Sequence, residues 1–251
     1  MIEALDHIVL ATAALDAAVA GYQTLLGRRP EGASFRLANM RLVLQAADGP
    51  AEGLSALAFA VRDIDKAQRL LSQRALPLAE ADAGAPGSAP LLHIAASATH
   101  QVPIALLQQN EPQQPAPLAS ASEESAVVAG LDHVVIRSPD PERAIALYAG
   151  RLGLSLRLDR TEPAWGARLL FFRCGDLIVE VAHDLKAGVG DGPDRLWGLS
   201  WRVPDLAKAR ARLRTAGVDV SDIRTGRRPG TQVLTVRSHT SGVPTLMIGA
   251  A

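Results

Sequence analysis

Apolar and polar residues alternate in four short runs, and a period of two predicts a strand at the start of each. The runs begin near Ile2, Gly53, Ala129 and Arg195. Each run leads into a stretch with the apolar spacing of an amphipathic helix. The four predicted helices are Leu15–Leu26, Ile64–Arg74, Pro141–Leu152 and Leu206–Ala216. The chain is therefore organised as four units that each open with a strand and a helix.

Capping residues support these helix bounds. Asp63, Asp140 and Asp205 stand at N-cap positions, where a carboxylate accepts hydrogen bonds from free backbone N–H groups. The rest of each unit is strand-like. The predicted strands are Phe35–Leu37, Arg41–Gln45, Leu91–Ala95, Ile104–Gln108, Arg168–Arg173, Leu177–Val181, Gln232–Val236 and Thr245–Ile248. The predicted order in each unit is one strand, one helix and three strands.

The opening pattern of the chain occurs twice. Leu5-Asp6-His7-Ile8-Val9 returns as Leu131-Asp132-His133-Val134-Val135, and each copy precedes a helix with one tyrosine and a Leu-Gly turn. Such self-similarity indicates duplication of a structural unit. We therefore expect the two halves to superpose, with His7 and His133 at equivalent positions on the first strand of each half.

The order of elements and the two Leu-Asp-His strands are accompanied by three further characteristic segments, which are Leu177–Val181, Gln101–Leu106 and Gly242–Met247. Together they resemble the vicinal oxygen chelate superfamily, which includes glyoxalase I, bleomycin-resistance proteins and extradiol dioxygenases. The resemblance covers nearly the whole chain. It implies an α+β fold of four βαβββ modules that form two glyoxalase-like half-barrel domains. It points to fold more than to reaction, because one fold carries many chemistries.

The predicted domains follow the duplication. Residues 1–110 form an N-terminal glyoxalase-like domain of two modules with a degenerate site, and residues 129–251 form a C-terminal one with the ligand site. Residues 111–128 form a linker, because Pro, Gln, Ser and Ala with few large apolar side chains cannot build a core. The segment Ala81–Pro90, also rich in small residues, is predicted to be a loop inside the second module.

Composition narrows the function classes. The chain has 251 residues with 26 basic and 26 acidic side chains, and this balance argues against nucleic acid as a partner. No apolar run reaches the roughly 18 residues of a membrane span, and the chain enters its first strand without a signal stretch. The single Cys174 fits a cytoplasmic protein and is expected to be a buried, unreactive thiol. We expect a small-molecule ligand as the partner, and a homodimer is compatible with the sequence.

The resemblance implies a metal site in which the first and last strands of each module supply the ligands. The first-strand positions are His7, Ala56, His133 and Gly198. The last-strand positions are Gln45, Gln108, Glu180 and Gly249. Only the C-terminal pair of modules has both an imidazole and a carboxylate. His133 and Glu180 are therefore the predicted ligands of a divalent Zn, Fe, Mn or Ni ion. Candidates for a third ligand are His183 and His239. The alternative is that no metal binds and that His133 and Glu180 share a buried hydrogen bond.

Strand alternation selects the residues expected to contact a substrate, because every second side chain shares a face. Glu180 is predicted to be the catalytic base. The predicted substrate-binding residues are Ser200, Arg202, Trp165 and Arg137. Trp197 and Trp201 alternate away from Ser200 and are interpreted as core. The basic turn Arg227-Arg228-Pro229-Gly230 either clamps an anion or is only solvated.

Two function hypotheses follow. The first is a glyoxalase-like enzyme, a lyase, isomerase or dioxygenase, acting on a small oxygenated or aromatic metabolite in the C-terminal cup. The second is a metal-free protein of the bleomycin-resistance type that binds or sequesters such a compound. The number of metal ligands in the C-terminal cup discriminates between them. A third ligand from a loop favours the enzyme, and two ligands favour the binder or a noncanonical enzyme.

Overall fold

A computed structural model describes residues 1–47, 49, 52–79, 91–109 and 125–251. In this part of the chain the architecture is α+β, with two sheets and few helices, as the sequence predicts. The predicted loop Ala81–Pro90 and residues 111–124 of the predicted linker lie outside the described residues. None of the described helices is long and apolar enough to cross a membrane.

The N-terminal half contributes one sheet. Its strands are β1 (Ile2–Thr12), β2 (Ser34–Arg36), β3 (Arg41–Ala46), β4 (Gly53–Val61), β5 (Leu91–Ile94) and β6 (Ile104–Gln108). They are hydrogen-bonded in the order β2-β3-β1-β4-β6-β5, which places the first strands of the two modules, β1 and β4, side by side. Helix α1 (Leu15–Leu26) packs on β3, and helix α2 (Ile64–Gln73) packs on β6.

The C-terminal half contributes the larger sheet. Its strands are β7 (Gly130–Arg137), β8 (Ser155–Glu162), β9 (Ala167–Cys174), β10 (Leu177–Asp184), β11 (Arg195–Arg202), β12 (Arg224–Thr225), β13 (Thr231–Val236) and β14 (Thr245–Ala250). Their order is β12-β13-β14-β11-β7-β10-β9-β8, so the first strands β7 and β11 are again neighbours. Helix α3 (Pro141–Ile145), which continues as a π-helix over Ala146–Arg151, packs on β9 and β10. Helix α4 (Leu206–Thr215) packs on β13 and β14.

The predicted order of one strand, one helix and three strands holds in the C-terminal half. In the N-terminal half, the described residues show two strands after each helix. Isolated bridges at Glu31–Ser34 and Leu78–Ile94 stand where a further strand was expected. Among the described residues, each N-terminal module therefore has one strand fewer than the sequence pattern predicts.

The helix termini follow local chemistry. Asp63 accepts a hydrogen bond from Lys66 N, and Asp140 accepts hydrogen bonds from Glu142 N and Arg143 N. Asp205 caps α4 in the same way through Lys208 N. Helix α1 follows Ala14 and has no side-chain cap. The aspartate caps that the sequence predicts for the other three helices are confirmed.

The described chain divides into two compact units. Unit 1 is Met1–His7, Ser55–Pro112 and Val135–Leu196, and unit 2 is Ile8–Leu54, Gln113–Val134 and Trp197–Ala251. Each unit combines segments from both halves of the sequence. The domain bounds 1–110 and 129–251 stay a prediction, although each sheet draws its strands from one half.

Unit 1 buries aromatic side chains around an ion pair. The Tyr148 and Phe172 rings lie 5.5 Å apart, and both side chains are fully buried. Arg143 Nη2 lies 2.7 Å from Asp194 Oδ1, and the Asp194 side chain has no exposed surface. Cys174 is buried as predicted, and its burial, with the nearby charge of Asp176, raises the pKa of the thiol to about 12.

Unit 2 is held by hydrogen bonds between segments that are distant in the sequence. Tyr22 donates to the carbonyl of Thr240, and Arg212 donates to the carbonyls of Thr24 and Leu25 at the end of α1. The last residues of the predicted linker are anchored here. Arg28 Nε donates to Val128 O over 2.6 Å, and Val128 is fully buried.

The two tryptophans of β11 behave differently. Trp201 is fully buried, which confirms its place in the core, whereas Trp197 is 41% exposed. The interpretation of Trp197 as a core residue is therefore wrong.

Candidate functional site

A histidine bound to the preceding aspartate occurs on the first strand of each sheet. His7 Nδ1 lies 2.6 Å from Asp6 Oδ1, and His133 Nδ1 lies 3.0 Å from Asp132 Oδ2. Neighbouring side chains on a regular strand point to opposite faces, so the same contact in both copies is a shared local feature. Both histidines lie on the first strand of their half, as predicted, and the superposition of the two halves stays a prediction. The Leu-Asp-His repeat predicted the positions of the two histidines. The sequence alone does not predict that each histidine contacts the preceding aspartate.

Two arginines of unit 2 converge on Asp132. Arg202 Nε lies 3.8 Å and Arg228 Nη2 lies 3.7 Å from Asp132 Oδ1. Arg202 also donates from Nη2 to the carbonyl of Leu131 over 3.1 Å. Burial acts to raise the pKa of Asp132, but the His133 hydrogen bond and the charges of His133, Arg228 and Arg202 outweigh it and hold that pKa below its usual value. Asp132 is therefore an ionised carboxylate at neutral pH.

The position of Arg228 depends on the turn between β12 and β13. The Arg228 carbonyl accepts hydrogen bonds from Thr231 N and Thr231 Oγ1, and Gly230 takes a left-handed conformation with φ of 72°. In a flat sheet β12 would lie about 19 Å from β7, at about 4.8 Å per strand. Because the Arg228 side chain approaches Asp132, the turn must fold across the sheet.

Ser200 lies deeper than its predicted role in substrate binding requires. It is 1% exposed, and its Oγ has no hydrogen-bond partner among the described residues. A buried hydroxyl without a partner costs stability. Contact between Ser200 and substrate stays a prediction, and in this conformation covering atoms separate the hydroxyl from solvent.

Gly198 and Gly249 do not mark empty space in a cup, contrary to the sequence interpretation. A Cβ on Gly198 would lie 2.8 Å from Pro244 O. A Cβ on Gly249 would lie 3.0 Å from Val203 O and 3.4 Å from Leu206 Cβ, at the start of α4. Gly249 therefore faces the helix, and Ile248 occupies the opposite face of β14.

Gln108 was also assigned to the wrong face. Its Oε1 accepts a hydrogen bond from Ile64 N at the start of α2. Leu107 lies on the other face of β6, where it clusters with Ala58 and Ala105. Because successive side chains of a strand alternate, the predicted register was one residue off in both the second and the fourth module.

The other predicted site residues lie in unit 1. Glu180 is partly exposed between the buried Val179 and Val181, which confirms its predicted strand face. Arg137 is exposed at the end of β7. Trp165 ends a short 3-10 helix between β8 and β9, and the Arg160 guanidinium lies 4.6 Å from its ring centroid. The structure brings Asp132, His133, Arg202 and Arg228 together in unit 2.

The two candidates for a third metal ligand lie elsewhere. His183 is 5% exposed on the face of β10 that carries Val179 and Val181, and its Nδ1 lies 3.2 Å from Ser138 O. His239 is an exposed turn residue with φ of 62°, bound to Ser238. Neither position shares the strand face of Glu180.

The donor set does not fit a resident divalent metal. Within the described ranges, no group of three or more His, Cys, Asp or Glu side chains is arranged to hold an ion. Catalytic zinc sites use three protein ligands, and structural sites use four. At the matching fourth-module positions, Gly198 and Ile248 offer no donor side chain. No catalytic step is therefore derived through a metal.

A surface groove of about 400 Å³ lies beside α2, remote in sequence from these residues. Its lining is Gln68, Ser72, Ala75, Leu76, Pro77 and Leu78. These side chains include no ionisable group that could act as an acid, a base or a charged anchor. The polar chemistry of the described chain points instead to the cluster around Asp132.

Comparison with known proteins identifies relatives of this chain. The model of the glyoxalase/bleomycin resistance protein/dioxygenase superfamily matches residues 132–235. An ethylmalonyl-CoA/methylmalonyl-CoA epimerase of Cereibacter sphaeroides is 30% identical over 101 residues, which are 38% of this chain and 75% of that protein.

Solved structures share the fold over the whole chain. The Mn(II)-bound glyoxalase from Novosphingobium aromaticivorans matches with a TM-score of 0.72 and 15% identity, over 99% of this chain and 82% of that one. The 2,2',3-trihydroxybiphenyl 1,2-dioxygenase from Sphingomonas wittichii matches with a TM-score of 0.71 and 19% identity, over 100% and 91%. At these identities the similarity establishes the fold alone.

Proposed function

Because the chain belongs to the glyoxalase/bleomycin resistance protein/dioxygenase superfamily, we propose that it binds a small oxygenated or aromatic metabolite through its C-terminal sheet, without a resident metal. The observation that carries the proposal is the composition of the Asp132 cluster. The cluster consists of one carboxylate, one imidazole and two guanidinium groups, and guanidinium groups are not metal ligands.

The residues of the cluster have distinct roles in this proposal. His133 binds Asp132 and fixes the orientation of its carboxylate. The negative charge of Asp132 offsets the repulsion between Arg202 and Arg228 and keeps the two guanidinium groups close to one another. Guanidinium groups hold oxygen atoms of a ligand by directional, charge-assisted hydrogen bonds. The cluster therefore selects an oxygenated compound and orients it without Lewis-acid help.

The proposal is tested by metal analysis and ligand binding on the same preparation. We expect freshly purified protein to contain far less than one equivalent of Zn, Fe, Mn or Ni. Affinities for benzoate and catechol, measured by calorimetry, should change less than about twofold after treatment with a chelator, since no ligand contact runs through an ion. A stoichiometric metal, with binding lost on chelation and restored by that metal, would contradict the proposal.

The second candidate is an enzyme that moves a proton on its substrate. The observation that favours it is the 30% identity to a protein named as an epimerase. In this candidate Glu180 is the catalytic base, as the sequence predicts. A glutamate at a partly exposed strand position is chemically able to act as a base.

Isotope exchange separates the candidates. An epimerase-like enzyme exchanges a substrate C–H proton with deuterated solvent, whereas a binding protein leaves it in place. For the compounds that bind, we expect the protein not to catalyse exchange of a C–H proton of the compound with deuterated solvent. Exchange that is lost in Glu180→Gln while binding persists would favour the enzyme.

A further inference from the structure

Resting on the proposed function, we infer that the ligand carries a carboxylate and that Arg228, with Arg202, binds it at the Asp132 cluster. This inference assigns ligand binding to the turn between β12 and β13, which carries Arg228. The sequence leaves two alternatives for that turn, a clamp or a solvated loop.

Arg228 has unused hydrogen-bonding capacity. Within the described part of the chain, its guanidinium makes no hydrogen bond, and its one ion pair, with Asp132, is 3.7 Å long. A guanidinium presents five N–H donors in a rigid fork. The side chain is 64% exposed, so a ligand can reach it from solvent.

The backbone that carries Arg228 is nevertheless ordered by its own contacts. Thr231 binds the Arg228 carbonyl twice, and Gly226 N donates to Thr231 O over 2.8 Å. The turn thus presents the guanidinium from a fixed frame. Arg202 is anchored as well, through Leu131 O. A side chain that is already held loses less conformational freedom when it binds a ligand, and this applies to the Arg202 guanidinium, while for Arg228 only the backbone is fixed.

The charges of the cluster favour an anion. Asp132 is a single carboxylate shared by the two guanidinium groups of Arg202 and Arg228, at 3.8 and 3.7 Å. The distance from Arg228 to Asp132 is long for a direct hydrogen bond, so the exposed Arg228 guanidinium can bind a second carboxylate supplied by a ligand. A planar carboxylate also matches the fork of a guanidinium in a bidentate pair. Inorganic phosphate is tetrahedral and lacks the planar geometry of a carboxylate, and it serves as the alternative anion in the test.

The experiment measures binding of benzoate, benzamide, catechol and inorganic phosphate to the full chain by calorimetry and by NMR of the arginine Nε–H signals. Benzamide is the uncharged counterpart of benzoate. We expect benzoate to bind at least about tenfold more tightly than benzamide and to shift the Arg228 signal. Arg228→Gln should weaken benzoate binding about tenfold. Arg224→Gln is the matched control, since Arg224 lies on the same hairpin and binds Thr235.

Each outcome decides between the inference and the proposed function. Catechol binding, with benzoate no tighter than benzamide or unaffected by Arg228→Gln, overturns the inference and leaves the proposed function standing. Phosphate binding in place of benzoate also overturns the inference. If none of the four compounds binds, both fail. If Arg224→Gln weakens benzoate as much as Arg228→Gln does, the effect is general surface charge and the specific role of Arg228 is refuted.

Discussion

Gly198 and Gly249 of the fourth module lie so close to neighbouring atoms that a side chain at either position would meet them. At Gly198 the approaching group is Pro244 O, and at Gly249 it is Val203 O together with Leu206 Cβ. A residue with a side chain at either position would have to displace these atoms. A substitution at Gly198 could therefore not restore a metal ligand without a shift of the backbone, and Gly249 faces the helix.

Replacing Gly198 with alanine should destabilise the protein. The new Cβ would lie 2.8 Å from Pro244 O, which is shorter than a normal contact, so the backbone must shift. We expect the free energy of unfolding in a urea titration to fall by about 1–3 kcal/mol. The control is Gly150→Ala, where nothing lies within 4 Å of the added Cβ and a helical alanine should gain a few tenths to about 1 kcal/mol. Equal stability of the two variants would show that the Pro244 contact relaxes without cost.

The strand face of a side chain could be predicted where a long strand has a regular pattern of burial. The same prediction was wrong near the ends of strands. On β10 the buried Val179 and Val181 flank the partly exposed Glu180, so the alternation fixed its face. On β6 and β14 the apolar pattern continues on both faces, and nothing in the sequence shows that Gln108 binds the start of α2. A one-residue error in register then reversed the assignment. The Asp132 cluster could not be predicted from the sequence either, because the sequence does not show that the turn carrying Arg228 folds across the sheet.

At the scale of elements, the sequence patterns did not predict two strands of the C-terminal half, which are β8 and the short β12. Among the described strands, β8 lies at the edge of its sheet and pairs with β9 alone. Most of its residues are exposed on both faces, and Leu158 is 48% exposed. Alternation arises from burial of one face, so an edge strand exposed on both sides has none. Charged residues such as Asp159 and Arg160 also discourage edge-to-edge pairing with other chains.

The helices were predictable because their caps are local. Asp140 accepts hydrogen bonds from Glu142 N and Arg143 N at the start of α3. We expect Asp140→Ala to lower the free energy of unfolding by about 0.5–2 kcal/mol, since both donors lose their partner. Asp140→Asn keeps an oxygen acceptor and should change it much less. Thermal denaturation of both variants tests this, and an Asn variant as unstable as the Ala variant would show that the carboxylate charge, and not the cap geometry, matters.

At the scale of the whole molecule, the duplication produced two sheets with different chemistry on one shared plan. Both sheets place their two first strands side by side, and both carry the Asp–His pair. The N-terminal sheet carries a buried apolar cluster of Ala58, Ala105 and Leu107. In the C-terminal half, Asp132 is joined by two arginines. A shared frame with divergent side chains is how one fold carries different functions.

This asymmetry predicts which histidine matters for ligand binding. His133→Ala removes the hydrogen bond that orients Asp132, so Asp132 should pair more closely with Arg202 and Arg228 and compete with a bound anion. We expect the benzoate affinity to fall by about tenfold, the value of one hydrogen bond to a charged group. His7→Ala removes the equivalent contact with Asp6 in the N-terminal sheet and is the matched control, with an expected change below about twofold. Both variants are compared by calorimetry, with thermal denaturation to confirm that each is folded. If His7→Ala abolished binding while His133→Ala left it intact, the ligand site would belong to the N-terminal half.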